Sequence, residues 1–195
     1  MRHNSERTAW TVLLSAFVVC SALATLLPFT TWRWLRTATT AQVITLSSSG
    51  TVQVKRPGSS EAVVNPDGVI PVGSTITTQQ DSQATLNFTS REGRALTNVV
   101  IYGDTEIILT QADSPRFRLG LNPHQVLLTV TSGRVRAIIG QAEVDRAVRV
   151  AFLSRPDAWT VLQAPGSNAS LEATFTESIV TVREGEATVI AHGQA

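Results

Sequence analysis

The amino-acid sequence predicts an all-β domain carried behind one membrane-spanning helix, and three observations predict it. Between Thr8 and Trp32 there is no charged side chain, and Ala9–Phe29 is apolar apart from scattered Ser and Thr. Beyond residue 41 the texture changes to short runs rich in Val, Ile, Thr and Leu, punctuated by Gly, Pro, Asn, Asp and Ser. Several of those runs alternate, as in Ala84-Thr85-Leu86-Asn87-Phe88, where Ala84, Leu86 and Phe88 fall on one face and Thr85 and Asn87 on the other. The divisions that follow are a short tail at 1–8, a transmembrane helix at 9–31, a linker at 32–41 and a β domain at 42–195.

A helix needs about 20 apolar residues to cross a hydrocarbon core of roughly 30 Å, and the 9–31 segment supplies them. Trp10 at one end and Trp32 and Trp34 at the other stand where indoles favour the membrane surface, and Arg33 and Arg36 stand within reach of headgroup phosphates. A cleaved signal peptide is the competing reading, since Arg2 and Arg7 precede the run and Ala22-Leu23-Ala24 has the form of a cleavage site. The run continues past that point and ends in an aromatic and basic girdle, which favours a retained span. Arg2 and Arg7 are balanced by Arg33 and Arg36, so charge alone does not orient the helix.

Cys20 is the only cysteine and lies in the apolar run, where the bulky Phe17-Val18-Val19 before it argues against a lipid-acceptor site. The β domain therefore has no disulfide and no thiolate metal site, and must hold together by core burial. The net charge of +1 gives no field that would imply nucleic acid.

In the β domain, strands are expected near 42–46, 51–55, 75–78, 84–88, 98–101, 106–109, 117–119, 125–131, 134–139, 148–153, 159–163, 171–175, 179–183 and 187–191. Thr131-Ser132-Gly133 and Arg183-Glu184-Gly185 interrupt β runs and predict two tight hairpins, because glycine supplies the positive φ that such turns need. Pro57, Pro66, Pro71, Pro115, Pro123, Pro156 and Pro165 disfavour helix throughout. So many short strands need a closed or stacked arrangement, and a roll, a solenoid or a sandwich would each provide one.

The order of signals resembles the FecR-like family of bacterial envelope proteins. The matching residues are Gly50-Thr51-Val52-Gln53-Val54, Val72-Gly73-Ser74-Thr75-Ile76-Thr77-Thr78, Asp81-Ser82-Gln83-Ala84-Thr85-Leu86-Asn87-Phe88 and the closing Val180-Thr181-Val182-Arg183-Glu184-Gly185-Glu186-Ala187-Thr188-Val189. The resemblance implies an extracytoplasmic β domain on a single-pass membrane protein, of the kind that in some members relays a surface signal to a sigma factor. Met1–Thr8 is too short to fold into a sigma-binding module, so such a relay would pass through a partner.

No catalytic residue, metal site or cofactor site is expected. His3, His124 and His192 have neither ligand spacing nor a paired base, and the sequence carries no G-x-S-x-G, S-x-x-K, P-loop or G-x-G-x-x-G. Glu184 and Glu186 read as solvated. Arg116 and Arg118 flank Phe117, and Arg134 and Arg136 flank Val135. If their strands are neighbours, the four guanidiniums form a stripe able to grip carboxylates or phosphates, although a solvated outer face is the blander reading. Trp159 reads as a core anchor, with a sugar-stacking platform as its alternative. The expected function is a non-catalytic binding module facing an envelope polysaccharide or another envelope protein, with a sensor acting through a partner as the rival.

Overall fold

The computed structural model describes residues 3–90, 92–117, 120, 122–140, 147–155, 158–174 and 176–191, and the side chains of the helix from Trp10 onward. Among the described residues there is one helix, α1 (His3–Thr37), followed by fifteen strands. These are β1 (Thr39–Ala41), β2 (Val43–Ser49), β3 (Val52–Lys55), β4 (Ala62–Val64), β5 (Gly68–Val69), β6 (Thr75–Thr78), β7 (Gln83–Thr89) and β8 (Ala95–Ile101). They continue as β9 (Glu106–Pro115), β10 (His124–Ile139), β11 (Val148–Arg155), β12 (Ala158–Leu162), β13 (Asn168–Ala173), β14 (Ser178–Glu184) and β15 (Ala187–Ala191). By backbone contacts the chain forms two units. Residues 1–38 with 116–122 make one, and residues 39–115 with 123–195 make the other, which holds every strand.

In the β unit the strands form one continuous curled sheet whose two layers we call sheet A and sheet B. Sheet A runs β4-β3-β6-β9-β10-β11-β12-β15, with β1 also on β9; sheet B runs β5-β2-β7-β8-β10-β13-β14. The sixteen-residue β10 belongs to both. Its first half pairs with β9 and β11 in sheet A, and its second half pairs with β8 and β13 in sheet B. The β10–β11 pair is parallel and the other pairings among the described residues are antiparallel.

The Thr131–Gly133 hairpin expected from the sequence is therefore a corner inside one strand. Gly133 has φ 91°, and a Cβ there would lie 2.5 Å from the Thr105 Cα and 2.6 Å from the Asp104 carbonyl oxygen. Only a residue without a side chain lets the strand turn there against its neighbour. The second expected hairpin is also a corner: β14 pairs with β13 in sheet B and β15 pairs with β12 in sheet A, so Gly185 carries the chain from one sheet to the other. Both glycines supply positive φ as expected, and both spend it on crossing between layers.

Each corner sets a glycine against a hydroxyl residue of the antiparallel neighbour. Gly50 faces Ser82, Gly133 faces Thr105 and Gly185 faces Ser167. At the first two, the N–H after the glycine donates to that hydroxyl, from Thr51 to Ser82 Oγ at 2.7 Å and from Arg134 to Thr105 Oγ1 at 2.9 Å. These bonds satisfy donors that the turning strand takes out of its ladder.

Between the sheets lies one apolar core that includes Ile44, Val54, Ile76, Leu86, Phe88, Leu96, Ile107, Leu128, Phe152, Leu162 and Leu171. Ala84, Leu86 and Phe88 are fully buried, as their alternation predicts. The linker expected at 32–41 is absent, because α1 runs on to Thr37 and Thr39–Ala41 is strand β1, paired with Pro115–Asp113 of β9. Nothing in Trp32–Thr37 breaks a helix, and the small residues of β1 pair through their backbone, which apolar alternation does not report. Of the expected strand at 117–119, only Phe117 is among the described residues. Arg116 and Phe117 lie in a bend between Pro115 and Pro123, while Arg118 and Leu119 lie outside the described residues.

Candidate membrane interface

Within α1, the stretch Trp10–Thr37 is long and apolar enough to cross a membrane, and none of its most apolar window is buried in the protein. Trp10, Leu13, Leu14, Phe17, Val18, Val19, Leu23, Leu26, Leu27 and Phe29 are all exposed. A helix that is apolar on every side needs an apolar surround, and the protein does not provide one. At about 1.5 Å per residue, α1 is long enough to span a hydrocarbon core of roughly 30 Å and continue past it.

Its polar side chains are arranged for such a surround. Ser15 donates to the Val12 carbonyl at 2.9 Å, Thr25 to Ser21 at 3.0 Å, Thr30 to Leu26 at 2.9 Å and Thr31 to Leu27 at 2.7 Å. Each hydroxyl is satisfied by its own helix, as hydrocarbon would require. Pro28 lies inside α1 and has no N–H to give. The two threonines that follow it turn their hydroxyls back onto carbonyls of the same stretch.

The end of α1 and the segment 116–122 belong to the same unit and build an aromatic and cationic collar. Arg36 lies 4.4 Å from the Trp32 ring centre, and Arg116 lies 5.8 Å from that of Trp34. The Trp34 and Phe117 rings stand 5.3 Å apart at 59°. The Arg116 N–H donates to the Ala38 carbonyl at 2.9 Å, and Asn122 Nδ2 donates to the Thr37 carbonyl at 3.2 Å, closing the last turn of the helix. Trp32, Trp34 and Arg116 remain exposed. Indoles with guanidiniums stacked on them present flat apolar area and bidentate donors together, which suits the level where acyl chains meet phosphates. Trp10 stands at the opposite end, with its ring exposed.

Of the residues expected at a membrane surface, the structure thus brings Trp32, Trp34 and Arg36 together, with Arg33 exposed on the same turn. Arg116 and Phe117 complete the collar from a bend, where the sequence predicts a strand. The signal was available, since Pro115 and Pro123 bracket a short apolar and basic segment that cannot extend a ladder from either end.

The arginine stripe fares differently. Arg134 and Arg136 stand on the outer face of β10, but the strands beside it are β8, β9, β11 and β13, none of which contains Arg116. Arg118 lies outside the described residues. Arg136 Nε donates to Asn168 Oδ1 at 2.7 Å, Arg134 lies 5.0 Å from the Tyr102 ring centre, and Glu172 faces Arg134 in register. The two guanidiniums are engaged by their own sheet.

Trp159 is not a core anchor. It is half-exposed on the outer face of sheet A, between Leu153 and Ile190 in register, while Leu162 of the same strand enters the core. His124 begins β10 and its Nδ1 lies 2.8 Å from the buried Ser114 Oγ on β9, tying the two strand ends together. His3 and His192 have no described side chain. Glu184 and Glu186 are exposed on either side of Gly185. Among the described residues no three His, Cys, Asp or Glu side chains gather as a metal site would need. Compared with family models, curated proteins and solved structures, the chain gives no match.

Proposed function

We propose that the chain is a membrane-anchored, non-catalytic binding module of the cell envelope, with α1 retained as a single span and residues 42–195 held outside the cytoplasm as a FecR-like β domain. The observation that carries the reading is the surface of α1, apolar on all sides, with Ser15, Thr25, Thr30 and Thr31 donating to carbonyls of their own helix and its end ringed by Trp32, Trp34, Arg36 and Arg116. A helix kept only for export needs no such collar. The FecR-like segments fall on β3, β6, β7 and the β14–β15 corner, where Gly50 and Gly185 cross between the sheets, which fits a motif whose content is structural. The β unit offers its ligand two broad strand faces, so an envelope polysaccharide or another envelope protein is the kind of partner it suits.

The reading is tested on membranes of cells making the full chain. It expects the chain to resist extraction by alkaline carbonate, and protease added outside spheroplasts to digest the β domain while sparing a helix-sized fragment. Release by carbonate would remove the anchor, and full protection from external protease would reverse the topology. Retention of the detergent-solubilised chain on purified envelope polysaccharide, absent for a denatured control, would name the ligand class.

A further inference from the structure

The two ends of the curled sheet are finished differently. At the end formed by β4 and β5, residues 65–72 cross between the sheets and back. Asn65 holds Val52 through both its backbone and its side chain, and the Ile70 N–H donates to the Ile44 carbonyl. Ile70 is only 2% exposed and plugs the core. At the other end β14 and β15 are the last strands of sheets B and A, and the chain crosses between them once. The register puts Val180 and Val182 opposite the core residues Leu171 and Ala169, and Val189 opposite the buried Thr160, so these valines point between the sheets. Yet Val182 is 41% exposed and Val189 56%. Inward-facing valines left in water mark a core that stops, among the described residues, without a lid.

We propose that a second copy of this chain closes that end, pairing β14 with β14 and β15 with β15, antiparallel about one two-fold axis normal to the sheets. Thr181 and Val189 each lie four residues from Gly185, so a single axis can pass through both strands. About that axis Val180 faces the partner copy's Val182, Thr188 faces Ile190, and Arg183 faces Ile179. No like charges meet. β15 carries no charge, neither strand holds a proline or a lysine, and the charges of β14 are confined to Arg183 and Glu184 at its corner end. The pairing extends both ladders and seals the valines at once.

The full chain, purified in mild detergent with Cys20→Ser, is expected to have a protein mass twice 20.9 kDa. Val182→Lys, which sets a charge on the joint, is expected to return the single mass with the β circular dichroism unchanged. As a check independent of that variant's folding, Thr181→Cys in the Cys20→Ser chain is expected to form a disulfide-linked dimer under mild oxidation, and Val64→Cys on β4 is not. A single mass for the unaltered surface, a dimer indifferent to Val182→Lys, or equal cross-linking at both positions would overturn the proposal. So would a monomer that binds a different envelope protein through β14.

Discussion

The β4–β5 end and the β14–β15 end of the same sheet are built from similar residues and reach opposite outcomes. Both carry exposed valines: Val63, Val64 and Val69 at one, Val182 and Val189 at the other. At the first, however, the strands have three and two residues and are cut short by Pro66 and Pro71, and Ile70 turns inward to fill the end of the core. At the second, the strands have seven and five residues, and Val182 and Val189 stay exposed along them. Two prolines and one well-placed isoleucine separate a finished edge from one able to accept more strand.

The comparison can be broken at several points, and the corner in β10, the strand common to both sheets, should be the most sensitive. Gly133→Ala places a Cβ against the backbone of Thr105 at φ 91°, where neither strand can yield, and should cost more than about 4 kcal/mol. Urea unfolding of the full chain in detergent, followed by far-ultraviolet circular dichroism, would show it as loss of the folded baseline. By the same assay Ile70→Ala should cost about 2–5 kcal/mol, the range for emptying a packed core site. If Ile70→Ala were neutral, the closed end would not be closed by that side chain. Gly185→Ala, at φ 75°, should cost about 1–2 kcal/mol, because the added Cβ would meet the Ser167 Cα at 2.9 Å, less closely than the 2.5 Å to the Thr105 Cα at Gly133. Val189→Ala should change the stability of the single chain by less than about 0.5 kcal/mol, measured at dilutions where copies are separate. A cost as large as that of Ile70→Ala would mean that Val189 is already buried within one copy.

Much of this was legible in the sequence. The alternation of Ala84, Leu86 and Phe88 gave β7 its buried face, and the uncharged run from Thr8 to Trp32 gave most of α1. The strands were recovered better than their connections. Gly133 and Gly185 were read as hairpin turns because positive φ is common to hairpins and corners, and a single glycine does not say which follows. A signal for the corners was present in repetition. Ser49-Gly50-Thr51-Val52, Ser132-Gly133-Arg134-Val135 and Glu184-Gly185-Glu186-Ala187 share one pattern, and they face Asp81-Ser82-Gln83-Ala84, Asp104-Thr105-Glu106-Ile107 and Gly166-Ser167-Asn168-Ala169. A glycine segment recurring opposite a hydroxyl segment is a packing pair, and hairpin turns have no need of one. The collar was half legible, since Trp32, Trp34, Arg33 and Arg36 stood out on the helix, whereas Arg116 and Phe117 reach it only through tertiary structure. The arginine stripe turns on tertiary structure in the same way: Arg134 and Arg136 are engaged within their own sheet, and Arg118 lies outside the described residues.

Whether β14 and β15 lie in different sheets decides the open end and everything built on it. Spin labels at Ile179→Cys and Ile190→Cys in a Cys20→Ser chain, diluted with unlabelled protein, measure this by electron–electron double resonance. With sheets about 10 Å apart and both side chains pointing outward, the account predicts a separation of roughly 20 Å or more. A hairpin folded about Glu184 and Gly185 would set the two positions face to face, and a separation below about 10 Å would contradict it.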